Sequence, residues 1–400
     1  MSSWKECKLG DVLELITKGT TPPNGQGFVN LGINYIKSDA INYNGRIDKS
    51  KFVQIDLETH EKFKRSQLKE FDILFSMAGA YLGKNAIVTS EILPANTNQA
   101  LAILRLNQTL AIPRYVSYYL SQNEIIDFVN NMSGQSAQPN INFQEISSIP
   151  LLLPPLEEQK AIAEVLSSLD DKIDLLHRQN QILESLAQTL FRQWFIEEAK
   201  EEWEVGKLGD ILSIIESGSR PKGGIDPELK NGFASIGAES INGIGNFNFK
   251  STKYITEDFF SSLKRGIVNT YDVLIYKDGA YIGRKAMFGN CFPFEQFAIN
   301  EHVFILRCNE KANQFFLYFL LEQDELATLN ANSAQPGLNQ ESMKSFEILI
   351  PPYELIEKFG IIVKDMVDKI LFNSKQIQTL ENLRDTLLPK LLSGEVRVEI

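Results

Sequence analysis

The chain is written twice, and this repeat constrains its fold more than any other feature. Trp4–Pro22 aligns with Trp203–Pro221, with nine identities in nineteen positions. Further blocks follow in the same order: Lys64–Leu74 with Lys264–Leu274, Gly79–Lys84 with Gly279–Arg284, and Asn98–Asn107 with Asn300–Asn309. Ser136–Pro139 then matches Ser333–Pro336, and Pro154-Pro155 matches Pro351-Pro352. The offset stays between 197 and 202 throughout, a register that chance does not keep over six blocks. Two copies of this length imply two similar bodies, not a solenoid of many short units. Within each copy, short β-rich runs such as 86–93 and 100–106 alternate with Gly, Asn and Pro punctuation. The clearest helical stretch is 112–132, with a counterpart around 313–330. The expected class is α+β, with a curved, mostly antiparallel sheet in each body.

Each copy ends in a long helix. Ile162, Leu166, Leu169, Ile173, Leu176, Asn180, Leu183, Ala187, Leu190 and Trp194 step by four and three, a heptad seam. At an offset of 197 the second copy repeats it as Phe359, Val363, Met366, Ile370, Asn373, Ile377, Leu380, Arg384, Leu387 and Leu391. Glu157 and Glu158 suit the first turn, Gly394 suits the stop, and Pro389 is expected to bend or break the last turn. A 40-residue helix of about 60 Å overhangs a domain of this size, so each seam is expected to find the other as its partner. A symmetric antiparallel pair brings together residues whose numbers sum to about 551; Asn180 and Asn373 sum to 553 and are expected to face each other and hydrogen-bond. Such a pair holds two bodies at a fixed distance in opposite orientation. The expected segments are a first domain at 1–155, a helix at 156–199, a second domain at 200–352, and a second helix with tail at 353–400.

Composition excludes several classes. No run approaches a membrane span, and the N-terminal residues lack the order of a signal peptide, which points to the cytoplasm. Three cysteines without a CxxC offer neither a disulfide framework nor a zinc site. The net charge of −11 argues against simple nucleic-acid binding. By segment, however, residues 1–155 carry 14 basic and 14 acidic side chains, residues 157–199 carry 4 and 9, and residues 200–353 carry 15 and 20. The acid surplus lies in the first helix and second body, so a local basic face remains open, with partners supplying some phosphate contacts.

The stretch SAQPNINFQEISSIPLLLPPLEEQKAIAEVLSSLDDKI resembles the junction between recognition domain and helix in specificity subunits of type I restriction-modification systems. FDILFSMAGAYLGK resembles the internal motif of that family, with Phe71 before Asp72 in place of the usual glycine; YDVLIYKDGAYIGRK resembles it too, and the terminal LLPKLLSGEVRV resembles the family's C-terminal ending. The second copy departs where Tyr353-ELIEK replaces Leu156-EEQK. The resemblance implies two target-recognition domains that each read one half of a bipartite double-stranded DNA site. It implies helices that space the domains and dock two methyltransferase subunits, with separate restriction and translocase subunits. S-adenosylmethionine, ATP and magnesium would sit on those partners and none on this chain, which would catalyse nothing. The residues agree. An adenine methyltransferase loop needs an Asn or Asp before Pro-Pro-Tyr, whereas Ile350 and Leu153 hold that place, and both stretches are better read as helix starts. Asp226-Pro-Glu-Leu-Lys230 reads as a surface loop, and His60, His177 and His302 stand isolated in sequence.

Base reading needs Arg, Lys, Asn and Gln on exposed turns, with other groups on phosphate. In the Gly-Ala-Tyr-Leu/Ile-Gly turns the glycines permit close backbone approach, Tyr81 and Tyr281 are placed to stack, and Lys84, Arg284 and Lys285 are placed to meet phosphate. A sheet-bending turn with solvated basic ends explains the same residues equally well. Lys62, Lys64, Arg65 and Lys69 form the densest basic cluster, for which a solvated face competes with a DNA contact. Readers of different half-sites belong where the copies diverge, at 20–50 and 219–250, which includes Lys37, Arg46, Arg220 and Lys222. The leading reading is a non-catalytic DNA-recognition subunit for an asymmetric bipartite site. The competing one is a protein-interaction scaffold with a coiled-coil spacer and no DNA role.

Overall fold

Equivalent residues of the two copies pair in equivalent strands. The computed structural model describes residues 4–43, 45–79, 82–132, 139–322, 326 and 337–399. Tyr81 lies outside the described residues, as do residues 136–138 and 333–336 of the Ser-Ala-Gln-Pro blocks. The chain divides into two compact units, residues 1–171 with 381–400, and residues 172–380. Each unit thus takes one globular copy together with a portion of both long helices, so the units do not follow the linear order of the chain.

In the first unit, Leu13–Lys18, Leu101–Leu106, Ile73–Ser76 and Asn85–Ile87 lie side by side in that order, each neighbouring pair antiparallel. A second sheet orders Phe28–Val29, Val53–Ile55, Ile33–Ile36 and Ala95–Thr97, with only the last pair parallel. In the second unit the main sheet runs Leu212–Ser217, Val303–Cys308, Val273–Tyr276, Lys285–Met287 and Gly243–Ile244, again with only the last pair parallel. A register shift falls at Leu13/Leu15 in one copy and at Leu212/Ile214 in the other. A bulge of this kind bends its strand and increases the local twist. Outside the sheets, Lys5–Lys8 pairs with Pro150–Leu153, and Glu204–Lys207 pairs with Glu347–Ile350. Each two-stranded ribbon leads the chain into its long helix.

One buried ion pair recurs in both units. Arg105 donates through Nε and Nη2 to the two carboxylate oxygens of Asp72, each at 2.7 Å. Arg307 grips Asp272 in the same way at 2.7 and 2.6 Å. These are the Asp and Arg of two repeat blocks, and the fork geometry satisfies a carboxylate that burial would otherwise penalise. The residue before each Asp is left-handed, Phe71 at φ 69° and Tyr271 at φ 66°. That conformation accounts for the glycine which the resemblance expects here.

The first long helix is Leu156–Arg192, followed by a π-helical turn at Gln193–Glu197; the second is Tyr353–Ser393. All twenty seam positions are buried or half-buried. In the first unit Ile162 and Leu166 share a core with Leu391, and Arg384 donates to Asp170 at 2.9 Å. In the second unit Ile173 and Leu176 pack with Ile377 and Leu380, while Leu183, Met366 and Ile370 join the main core. There Asn373 Nδ2 donates to Asn180 Oδ1 at 2.9 Å. In each unit, later residues of one helix meet earlier residues of the other, so the segments run antiparallel.

Three local expectations change. The helix expected over 112–132 is two helices, Pro113–Leu120 and Asn123–Met132. Ser121 ends the first, donating to Ser117 O at 2.9 Å while accepting from buried Asn85 at 3.0 Å. The strand expected over 86–93 stops at Ile87, and Ser90–Ile92 form a single 3-10 turn before Pro94, which has no amide for a ladder. Pro389 does not end the second helix, because buried Leu391 and Leu392 beyond it anchor the last turn in the first unit's core. The helix stops at Gly394, φ 77°, a left-handed residue suited to that role.

Candidate nucleic-acid interface

The Gly-Ala-Tyr-Ile-Gly motif is part of a β-hairpin loop in the second unit, and the described Gly79, Leu82 and Gly83 lie between the matching strands in the first. Strands Ile73–Ser76 and Asn85–Ile87 flank it in the first unit, and Val273–Tyr276 and Lys285–Met287 flank it in the second. Gly83 and Gly283 close the loop at φ 80° and 81°, a conformation that favours glycine. Their amides donate to Ser76 O at 3.1 Å and Tyr276 O at 2.9 Å. A turn between sheet strands is compatible with either reading of these residues, and what their side chains reach bears on the choice.

In the first unit the hairpin loop meets the divergent segment. Lys84 Nζ lies 4.8 Å from the centroid of the Tyr43 ring, and Tyr43 donates to Leu82 O at 3.5 Å. Partial burial, then the nearby charge of Lys51, lower the pKa of Lys84. Lys84, Tyr43 and Lys51 thus form a basic-aromatic group, in which Lys51 also lies 3.9 Å from Asp48 and donates to Asp39 O at 3.0 Å. A second group links Lys37 to Arg65. Lys37 Nζ sits 5.7 Å from the Phe28 centroid, Phe28 meets Tyr35 edge-on at 5.4 Å, and Tyr35 donates to Thr20 O at 2.9 Å. Arg65 donates to Thr20 Oγ1 at 3.3 Å. Lys64 beside it is exposed, and Arg46 is half-buried.

In the second unit Arg284 stacks on exposed Tyr281, Cζ 3.9 Å from the ring centroid. Lys285 departs from the expected phosphate contact. As the first residue of a strand it turns inward, and its ammonium donates to Tyr318 O at 2.6 Å and Leu321 O at 2.7 Å. It also lies 4.6 Å from the Tyr318 ring centroid. Alternation along the strand explains this, since neighbours point to opposite faces. Burial holds its pKa down to about 8 against the opposing pull of Glu322 and Glu184. The matching residue of the first unit, Asn85, is likewise buried and serves the same helix end through Ser117 and Ser121.

Arg220 is brought to a charged group that sequence spacing does not reveal. Its Nη2 is paired with Glu301 Oε1. Glu301 Oε1 also lies 3.3 Å from His302 Nε2, and His302 Nδ1 meets Asp278 Oδ2 at 2.7 Å. His302, isolated in sequence, therefore has two carboxylate partners in the fold. Asp278 immediately precedes the hairpin loop, which ties this group to Tyr281 and Arg284. Lys222, two residues past Arg220, is exposed. The one signal for these missed residues is divergence at matched positions: Thr21, Ala78, Gln99 and Ala100 stand in the first copy where Arg220, Asp278, Glu301 and His302 stand in the second. Asp226-Pro-Glu-Leu-Lys230 is an exposed turn in which Lys230 donates to Pro227 O. No helix among the described residues is long and apolar enough to cross a membrane.

Comparison with known proteins agrees with this architecture. Residues 1–185 and 200–382 each match the family described as type I restriction modification DNA specificity domain. The type I restriction enzyme MjaIX specificity subunit of Methanocaldococcus jannaschii is 29% identical over 326 residues, which cover 76% of this chain and 74% of that protein. The type I restriction enzyme HindI specificity subunit of Haemophilus influenzae is 24% identical over 473 residues, covering 99% of this chain and all of that one (100%). Among solved structures, the type I restriction-modification system S subunit from M. genitalium superposes with a TM-score of 0.63 at 18% identity. The match covers 98% of this chain and 96% of that one, a likeness of fold.

Proposed function

Since the chain belongs to the family of type I restriction-modification specificity subunits, and is thus the DNA sequence-recognition component of such a complex, we propose that its two units read the two different halves of an asymmetric bipartite site. The observation that carries this is a shared fold with unlike chemistry at matched positions. The first unit offers Lys84 with Tyr43 and Lys51, and Lys37 with Arg65. The second offers Arg284 with Tyr281, and Arg220 within a set of carboxylates and histidine. Identical scaffolds with identical side chains would read identical halves; these do not match.

Methylation and cleavage are assigned to partner subunits, which would bring S-adenosylmethionine, ATP and magnesium. Two modification subunits are the expected partners of the long helices. In the second unit's share of those helices Leu175, Ile182, Leu186, Ile361 and Phe372 are exposed although apolar, a surface suited to being covered. The acid surplus in the first helix and second copy supports the same division of labour, because a protein short of cations leaves phosphate neutralisation to its partners. The working site is the cytoplasm.

The test is to map methylated adenines in DNA from cells that carry this chain with its modification subunits. Two unlike half-sites with an invariant spacer are expected. Absence of a sequence motif, or two identical inverted halves, would overturn the proposal.

A further inference from the structure

Arg220 is a cation of the divergent second-copy segment that is exposed and paired with a carboxylate. Its side chain is 51% exposed while that of its partner Glu301 is 30% exposed. Its Nη2 is the nitrogen set against Glu301. Glu301 Oε1 lies 3.3 Å from His302 Nε2, and His302 Nδ1 is hydrogen-bonded to Asp278 at 2.7 Å. Asp278 stands two residues past the strand Val273–Tyr276, directly before the turn Gly279–Tyr281, which places the series at the end of the sheet. A solvated arginine on a flexible loop has no use for three charged and titratable residues set in series behind it. A guanidinium that must present its fork to a flat acceptor pair does, because pre-organisation reduces the side-chain entropy lost on binding. In the major groove the acceptor pair matching that fork is O6 and N7 of guanine.

On the reading of the second unit as a half-site reader, we infer that Arg220 contacts a guanine in the half-site read by that unit, and that Glu301 and His302 are positioning residues for it. The first unit has Thr21, Gln99 and Ala100 at these places, so it reads its half-site without this contact. The carboxylates also make the surface selective. Close to phosphate they repel unless the arginine is correctly seated, which penalises wrong sequences more than right ones.

The test uses the full chain assembled with its modification subunits, on duplexes carrying the mapped site. In the wild type, 7-deazaguanine placed at one guanine of the second half-site removes N7 and is expected to weaken binding about tenfold. Arg220→Lys keeps the charge but loses the fork; it is expected to bind natural DNA about tenfold more weakly and to lose nothing further on the 7-deazaguanine duplex. Glu301→Gln is expected to show a smaller loss of the same kind, and substitutions in the first half-site are expected to cost every variant as much as wild type. A second half-site without guanine overturns the inference, as does an Arg220→Lys loss that simply adds to every 7-deazaguanine loss. A wild-type complex with no preference between half-site sequences would instead remove the reading on which the inference rests. Co-assembly and melting of each variant separate a folding defect from lost recognition, and Arg220→Lys removes no buried group.

Discussion

Asn373 Nδ2 donates to Asn180 Oδ1 at 2.9 Å, one asparagine from each long helix, in the middle of an otherwise apolar stretch of the second unit. Asn373 is fully buried. Asn180 turns its own amide toward Ser374 Oγ at 3.4 Å. A lone polar layer of this kind disfavours shifted registers, in which each amide would face leucine or isoleucine. Asn180→Leu alone leaves the Asn373 amide only its longer 3.4 Å bond to Gln179 Oε1 and is expected to cost about 1–3 kcal/mol. The double change to leucine is expected to recover most of that loss while relaxing the register. Denaturant melting of the four combinations in a double-mutant cycle measures the coupling, and strict additivity would refute it.

Arg384 occupies a seam position that heptad spacing assigns to an apolar residue, and it is buried all the same. It donates to Asp170 at 2.9 Å, and Tyr118 donates to the other oxygen of Asp170 at 2.6 Å. Arg384→Ala would leave a partly buried carboxylate with one partner fewer. A loss of about 3 kcal/mol is expected in the unfolding of the full chain. Arg384→Met, which fills the same space, is expected to lose less. Equal losses would show that the ion pair and not packing governs the site.

Phe71 and Tyr271 share a left-handed backbone but not the same compensation. Phe71 is exposed, whereas Tyr271 is paired through its hydroxyl with Asp368 and packs on Phe315 at 5.0 Å. Phe71→Gly is therefore expected to leave stability unchanged or raise it by up to about 1 kcal/mol, relief of the left-handed conformation offsetting the gain in unfolded-chain entropy. Tyr271→Gly is expected to lower stability. Thermal melting of the two variants against wild type checks the opposite signs.

Lys285 sets a pH dependence in the second unit. Burial holds its folded pKa at about 8, below the unfolded value near 10.4. Below pH 8 both states carry the proton and the cost of burying it is fully present. From pH 8 upward the unfolded chain binds more protons than the folded one, so stability rises with pH through that window. Lys285→Met is expected to remove the rise. The wild-type minus variant difference in denaturation free energy, measured at pH 7, 8, 9 and 10, should climb from pH 8, and a flat difference would contradict the assignment.

Lys84 and Arg284 end the two hairpin loops. If both meet phosphate in the assembled complex, Lys84→Ala and Arg284→Ala each reduce the slope of log affinity against log salt by about 1, across all sequences alike. An unchanged slope would make them loop residues only.

Much of this architecture is legible in the residues taken in order. Two copies at a near-constant offset imply two bodies of one fold, and heptad steps imply paired helices, because both signals are periodic and periodicity survives without knowledge of contacts. The Asn180 and Asn373 pairing belongs to the same class, since register within a regular helix is arithmetic. What the tertiary structure decided is where single side chains point. Lys285 follows Arg284 in a basic pair, yet strand alternation sends it inward to helix carbonyls. His302 stands alone in sequence, yet sheet pairing sets it against Asp278 and beside Glu301, 24 residues from the first and adjacent to the second. Arg220 finds Glu301 only because the loop after Leu212–Ser217 lies over the turn before Val303–Cys308, neighbouring strands in the sheet. Local periodicity follows from the chain, whereas the placement of a charge depends on which distant strand lies beside it. The candidate readers fall in that second class.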